Sequence, residues 1–232
     1  MKAPAKTSFI RTFRQTLLQQ DSALCVGLDP EVDKLPPHLP QNLAGLMRFC
    51  EEIISATAEF AAAFKINFAF FEVHGQAGWA ALEKIVGMIP AELLKIADAK
   101  RGDIGNTSRL YAQSVFEVLQ FDAMTVNPYL GEDAAAPFLD DESKGVFFLC
   151  RTSNPGGKTI QWYPALDSGN GEQTHLPLFV HVAKQVQQWN TKSNAALVVG
   201  ATHLQELEIV RQHCPALPFL IPGIGAQGGR VG

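Results

Sequence analysis

The chain has 232 residues, 47% of them hydrophobic and 18% charged, with a formal net charge of −4. That length fits one α/β domain, since barrels of this class commonly run to about 200–250 residues. The acidic balance excludes a general nucleic-acid binder, which would carry a basic surface, but leaves room for one phosphorylated small molecule held at a local site.

The N-terminal MKAPAKTSFIRTFRQ carries no apolar stretch long enough for a signal peptide. No later segment approaches a membrane span, so a cytoplasmic protein without a membrane partner is expected. Cys25, Cys50, Cys150 and Cys214 are far apart and form no CxxC pair, which argues against redox motifs and metal clusters. Cys25 and Cys150 sit in apolar runs and read as buried, inert thiols.

Ser8–Gln20 reads as a helix ahead of the first strand, Ala23–Asp29. Next come a helix over Leu43–Phe60, a strand over Ala63–Phe68, a helix over Gly78–Met88 and a strand over Leu93–Asp98. The pattern repeats with helix Thr107–Leu119, strand Ala123–Asn127, a short helix Asp133–Leu139 and strand Gly145–Arg151. Helix Pro177–Asn190, strand Ala195–Gly200, helix Leu204–His213 and strand Phe219–Gly223 complete it. The strands are almost continuously apolar, as a parallel sheet buried on both faces requires. Repeated β-then-α order implies helical crossovers.

The predicted fold is α/β, a (β/α)8 TIM barrel in a single domain over residues 1–232. Seven strands can be counted; an eighth would close the barrel, so the domain is expected to be C-terminally incomplete. An open doubly wound sheet is the structural alternative. Either architecture gathers function at the C-terminal ends of the strands. There the sequence places Asp29, Lys65, Asp98 with Lys100, Asn127, Ser153 and Gly223.

The segment Ile96-Ala-Asp98-Ala-Lys100-Arg-Gly-Asp103-Ile104-Gly-Asn-Thr107 is the most informative. Asp98 and Lys100 stand two apart at a strand end, so strand alternation points both to one side. An isolated DxKxxD is ordinarily a surface salt-bridge cluster; the apolar strand before this one shifts the charges toward a pocket, and both readings stay open. Lys65 interrupts an otherwise apolar run, and must either snorkel outward or pair with carboxylates. With Lys100 it would balance Asp98 and Asp103 in one coupled array. Pro222-Gly-Ile-Gly225-Ala-Gln227-Gly228-Gly229 is a glycine-rich loop whose backbone amides could close on an anion, or it is simply a turn. Ser153-Asn-Pro-Gly156-Gly157 opens a stretch to Thr174 without clear periodicity, which reads as a mobile loop over a site. The six histidines show no zinc spacing, and neither GxSxG nor GxxxxGK[ST] occurs. His74, His175, His203 and His213 read as surface or cap residues.

Taken in order, six segments resemble the orotidine 5'-phosphate decarboxylases, in particular their longer bacterial subfamily. They are Cys25-Val-Gly-Leu-Asp29-Pro, Phe64-Lys65-Ile-Asn67, Asp98-Ala-Lys100-Arg-Gly-Asp103-Ile-Gly, Val126-Asn-Pro-Tyr129, Arg151-Thr-Ser153-Asn-Pro-Gly and Pro222-Gly-Ile-Gly-Ala-Gln227-Gly-Gly. DxKxxD alone is shared with related sugar-phosphate enzymes; its combination with Lys65, Ser153 and Gln227 is specific.

The resemblance implies decarboxylation of orotidine 5'-phosphate to UMP in pyrimidine biosynthesis, with no cofactor and no metal. By position, Asp29 and Lys65 would bind ribose hydroxyls, and Lys65 would also join the charged array. Asp98 would lie against the substrate carboxylate, and Lys100 would protonate the carbon that loses carbon dioxide. Asp103, Ile104 and Thr107 would reach into a partner subunit's site, making the catalytic unit a homodimer with shared sites. Ser153 would hydrogen-bond the pyrimidine, and Gln227 with the backbone around Gly225 and Gly228 would hold the phosphate. The family continues past the glycine-rich loop into a helix and an eighth strand with a phosphate-binding arginine, and Arg230 stands too early to be that residue. Two other readings stay open: a catalytically silent nucleotide-binding fragment, and a magnesium-dependent sugar-phosphate lyase of the same barrel group.

Overall fold

A computed structural model of the chain describes residues 7–167, 174–202 and 204–224. They fall into two compact units, Met1–Ala99 with Arg109–Met124 and Lys100–Ser108 with Thr125–Gly232.

The first unit opens with helix α1 (Phe9–Gln20) and strand β1 (Cys25–Leu28), followed by helix α2 (Leu43–Thr57). Asn42 starts α2 by accepting hydrogen bonds from the amides of Ala44 and Gly45, which satisfies two donors the helix cannot pair internally. Leu46, Cys50 and Ile54 recur every four residues and form the buried stripe of α2. Strand β2 (Ala63–Asn67), the single turn α3 (Ala69–Glu72) and helix α4 (Gly75–Met88) follow. The next strand, β3 (Leu94–Arg101), outruns the predicted Leu93–Asp98 at its C-terminal end. Parallel pairing sets Gly27 beside Lys65 and Asn67 beside Asp98. Phe68 anchors the core between Trp79 and Phe121, with ring centroids 5.6 Å from each.

Helix α5 (Gly105–Gln113) runs on into a π-helical turn, Ser114–Val118, so the predicted helix Thr107–Leu119 changes its winding midway. Strand β4 (Ala123–Val126) is buried at all four positions. The sheet order is β1-β2-β3-β4 in the first unit, and β3 and β4 also contribute residues to the second.

Beyond β4 the second unit carries helix α6 (Glu132–Leu139) and strand β5 (Gly145–Arg151). The stretch expected as an aperiodic mobile loop instead holds helix α7 (Gly157–Gln161) and an antiparallel pair, β6 (Pro164–Asp167) and β7 (Thr174–Pro177). That hairpin is tied down at two points. Lys184 pairs with Asp167 at 2.5 Å, and the Leu178 amide donates to the Tyr163 carbonyl at 2.8 Å.

Helix α8 (Leu178–Trp189), strand β8 (Ala195–Val199), helix α9 (Leu204–His213) and strand β9 (Phe219–Leu220) complete the described residues. The predicted last strand, Phe219–Gly223, shortens to two residues. Here the sheet order is β3-β4-β5-β8-β9, with β5 and β8 parallel and a register break between Leu149 and Arg151. Complete burial of β8 matches a strand covered on both faces. Among the described residues the main parallel sheet has seven strands, and no helix is long and apolar enough to cross a membrane.

Candidate active site

In the first unit the ends of three adjacent strands converge on one lysine. The Lys65 ammonium lies 3.1 Å from Asp98 Oδ2 and 3.4 Å from Asp29 Oδ1. Lys65 and Asp98 keep only 13% and 9% of their side-chain surface, whereas Asp29 keeps 46%. Lys65 therefore pairs with carboxylates rather than snorkelling away, settling the question its apolar run posed.

The position follows from strand register. Gly27 lies beside Lys65 in the β1–β2 pairing and is itself exposed. A Cβ at Gly27 would stand 3.7 Å from Asp29 Oδ2 and 4.0 Å from the Lys65 Nζ. Burial alone would pull the lysine's pKa down, but the charges of Asp98 and Asp29 and the Asp98 hydrogen bond outweigh it, leaving a net rise. Lys65 is thus a fixed cation at neutral pH, unsuited to act as a general base or amine nucleophile. Cys25, on the same strand as Gly27, has its thiol pushed up to about 11 by burial. Its thiolate is therefore scarce at neutral pH, as expected for an inert cysteine.

The second unit holds the rest of the charged segment. Lys100 is exposed, and its backbone is left-handed at φ 47°. Its amide donates to Thr125 Oγ1 at 2.9 Å. Asp103 turns its carboxylate onto the Ile104 amide at 2.8 Å, and its carbonyl accepts from the Ser108 hydroxyl. Ile104 leaves 63% of its surface exposed at the start of α5, and Thr107 is also exposed.

Ser153 follows β5 and sits in a frame of neighbouring bonds. Gln161 Oε1 accepts from the Thr152 amide at 3.0 Å, while its amide nitrogen donates to Thr152 Oγ1 at 2.7 Å. Thr152 Oγ1 also bonds Asn154 Oδ1 at 2.6 Å. Arg151, only 1% exposed, reaches the Thr152 carbonyl, Gln161 and Glu206 through its terminal nitrogens. Its Nε has no partner among the described residues. Gly200 packs under this corner, where an added Cβ would stand 3.0 Å from the N, Cα and Cβ of Ser153.

Gly225, Gln227 and Gly228 lie outside the described residues, as does His203. Among the described residues no group of three or more His, Cys, Asp or Glu side chains is placed to hold a metal ion.

Sequence reasoning passed over Gly27, Thr125, Gly200 and the Arg151–Gln161–Glu206 frame. Signals were present for two of them. Thr125 is the one hydroxyl in the buried run Ala123-Met-Thr-Val, and Arg151 is a charge that stays buried at the end of an apolar strand.

Parallel strands joined by helices, with charged groups fixed at strand C-termini, define an enzyme of the (β/α) barrel class. A family model described as orotidine 5'-phosphate decarboxylase / HUMPS family matches residues 22–232, and the chain belongs to that family. It is 45% identical over 224 residues to an orotidine 5'-phosphate decarboxylase of Herpetosiphon aurantiacus, covering 96% of this chain and 81% of that protein. A protein of the same name from Thermomicrobium roseum is 48% identical over 223 residues, covering 96% and 77%. The structure of Leishmania donovani OMP decarboxylase superposes with a TM-score of 0.83 at 39% identity, covering 94% of this chain and 80% of that one.

Proposed function

We propose that the chain decarboxylates orotidine 5'-phosphate to UMP in pyrimidine biosynthesis, with Lys100 as proton donor and without metal or cofactor. The observation that carries this reading is the fixed Lys65 cation between Asp98 and Asp29 at the strand ends of a family member. Relatives at 45–48% identity bear the decarboxylase name, which favours this reading over the sugar-phosphate lyase alternative.

The chemistry suits the residues. Loss of carbon dioxide leaves a carbanion-like centre, which a preorganised ammonium stabilises before donating its proton. In this proposal Lys100 supplies that proton and Asp98 lies against the departing carboxylate. Lys65 and Asp29 hold ribose hydroxyls; Asp29, half exposed beside the cation, is free to meet them. Ser153 hydrogen-bonds the pyrimidine. Gln227 with the backbone at Gly225 and Gly228 grips the phosphate, and binding energy won there supports the transition state at the reacting carbon.

A homodimer with shared sites is part of the proposal. Asp103, Ile104 and Thr107 enter the partner's site, and the exposure of Ile104 and Thr107 supports that role. The proposed location is the cytoplasm, where the free thiols of Cys25, Cys50, Cys150 and Cys214 would stay reduced.

The test is an ultraviolet assay of orotidine 5'-phosphate turnover with a chelator present and Lys100→Ala as control. Conversion to UMP that vanishes in the control is expected. Turnover abolished by the chelator, or retained by Lys100→Ala, would overturn the mechanism.

A further inference from the structure

Thr125 stands in a strand where every other side chain is apolar, and it keeps 1% of its surface. A buried hydroxyl is unfavourable unless it is hydrogen-bonded. Here its oxygen accepts the Lys100 amide at 2.9 Å.

That amide belongs to a residue in an unusual conformation. Lys100 has φ 47°, a region L side chains rarely adopt because the Cβ crowds the backbone. Such a residue persists only where its surroundings over-determine it. The next two residues are also gripped by the end of β4. The Asn127 amide donates to the Arg101 carbonyl at 2.8 Å, and Gly102 packs so closely that a Cβ would lie 3.1 Å from the Asn127 carbonyl oxygen. Residues 100–102 thus meet Thr125 and Asn127 at three successive points, and at the first of them the acceptor is a side chain.

We propose that Thr125 is a positioning residue, whose hydroxyl holds the Lys100 backbone in its left-handed turn and so fixes where the ammonium is presented. This rests on the proposed role of Lys100 as proton donor. Thr125 touches no substrate in this account; it acts through the lysine's backbone. Without the acceptor the Lys100 amide loses its fixed partner, the turn relaxes toward ordinary backbone angles, and the long side chain sweeps a wider range of directions.

The experiment compares the full chain with Thr125→Val, which keeps the shape but removes the acceptor, and Thr125→Ser, which keeps it. In Thr125→Val, kcat should fall by about ten- to a hundredfold, the range expected when a reacting group is displaced, while KM for orotidine 5'-phosphate stays unchanged. Thr125→Ser should restore kcat, a rescue that mere packing would not produce. Hydrogen exchange provides a readout independent of turnover: the Lys100 amide should lose protection in Thr125→Val and keep it in Thr125→Ser. If Thr125→Val does not fold, Thr125→Ala takes its place. Wild-type kcat in Thr125→Val, equal damage by both variants, or unchanged protection of the Lys100 amide would overturn the proposal. A wild-type chain without turnover would sink the proposed function instead, and the exchange comparison would still decide the role of Thr125.

Discussion

Replacing Asp98 with Asn tests the energetics of the array directly. The substitution keeps shape and hydrogen-bonding capacity but removes the negative charge 3.1 Å from the buried Lys65 ammonium. Asp29 remains 3.4 Å away, and its half-exposed carboxylate is better screened by solvent. Breaking a fully buried pair costs about 3–5 kcal/mol, and a hydrogen bond to a charged group contributes about 1.5–3 kcal/mol. With Asp29 retained, a loss of about 2–3 kcal/mol is expected at pH 7, or a fall of about 4–12 °C in Tm for a domain of this size. The loss should depend on pH with a definite sign. The folded-state pKa of Lys65 is raised from its ordinary 10.5, so its pairing stabilises fully below that value and fades as pH climbs through the folded value. Urea unfolding of both proteins at pH 7 and about pH 11 should therefore show the gap between them narrowing at the higher pH. Equal stability at pH 7, or the same gap at both values, would refute the assignment of Asp98 as the main charge partner of Lys65.

Three further outcomes are expected. Glu206→Gln removes the carboxylate 3.5 Å from the buried Arg151 guanidinium and should lower stability by about 1–3 kcal/mol in denaturant unfolding; no change would show the pair to be energetically idle. Gly200→Ala pushes a methyl to 3.0 Å from the Ser153 backbone, so stability should drop by about 1–3 kcal/mol and UMP affinity should weaken in calorimetric titration; wild-type values for both would refute the packing account. Asp103→Ala and Lys100→Ala chains, each inactive alone, should regain activity when mixed, because mixed dimers contain one site with both native residues. Failure to complement despite demonstrated subunit exchange would count against shared sites.

The sequence by itself determined the alternation of strands and helices and pointed to Lys65 and Asp98 as a charged pair at the strand ends. Uninterrupted apolar runs such as Gly145–Arg151 can be satisfied only by burial on both faces, and the strand found there has the predicted limits. The spacing of Leu204–His213 likewise marked its helix at both ends. Lys65 stood out because a charge inside an apolar run needs a partner, and the carboxylates were already visible at neighbouring strand ends.

Tertiary structure decided what local pattern could not encode. The hairpin of Pro164–Asp167 and Thr174–Pro177 shows little apolar alternation; its strands find each other through antiparallel backbone pairing and meet α8 through the Lys184–Asp167 pair. The left-handed turn at Lys100 is held from β4, a strand more than twenty residues further along the chain. Gly200 looked like a strand terminus, yet the lack of a side chain there matters because Ser153 packs against it. Arg151 read as the charged end of a strand until Thr152, Gln161 and Glu206 surrounded it. Periodicity reports which face of an element is buried; which residues meet on that face is fixed only when the elements pack.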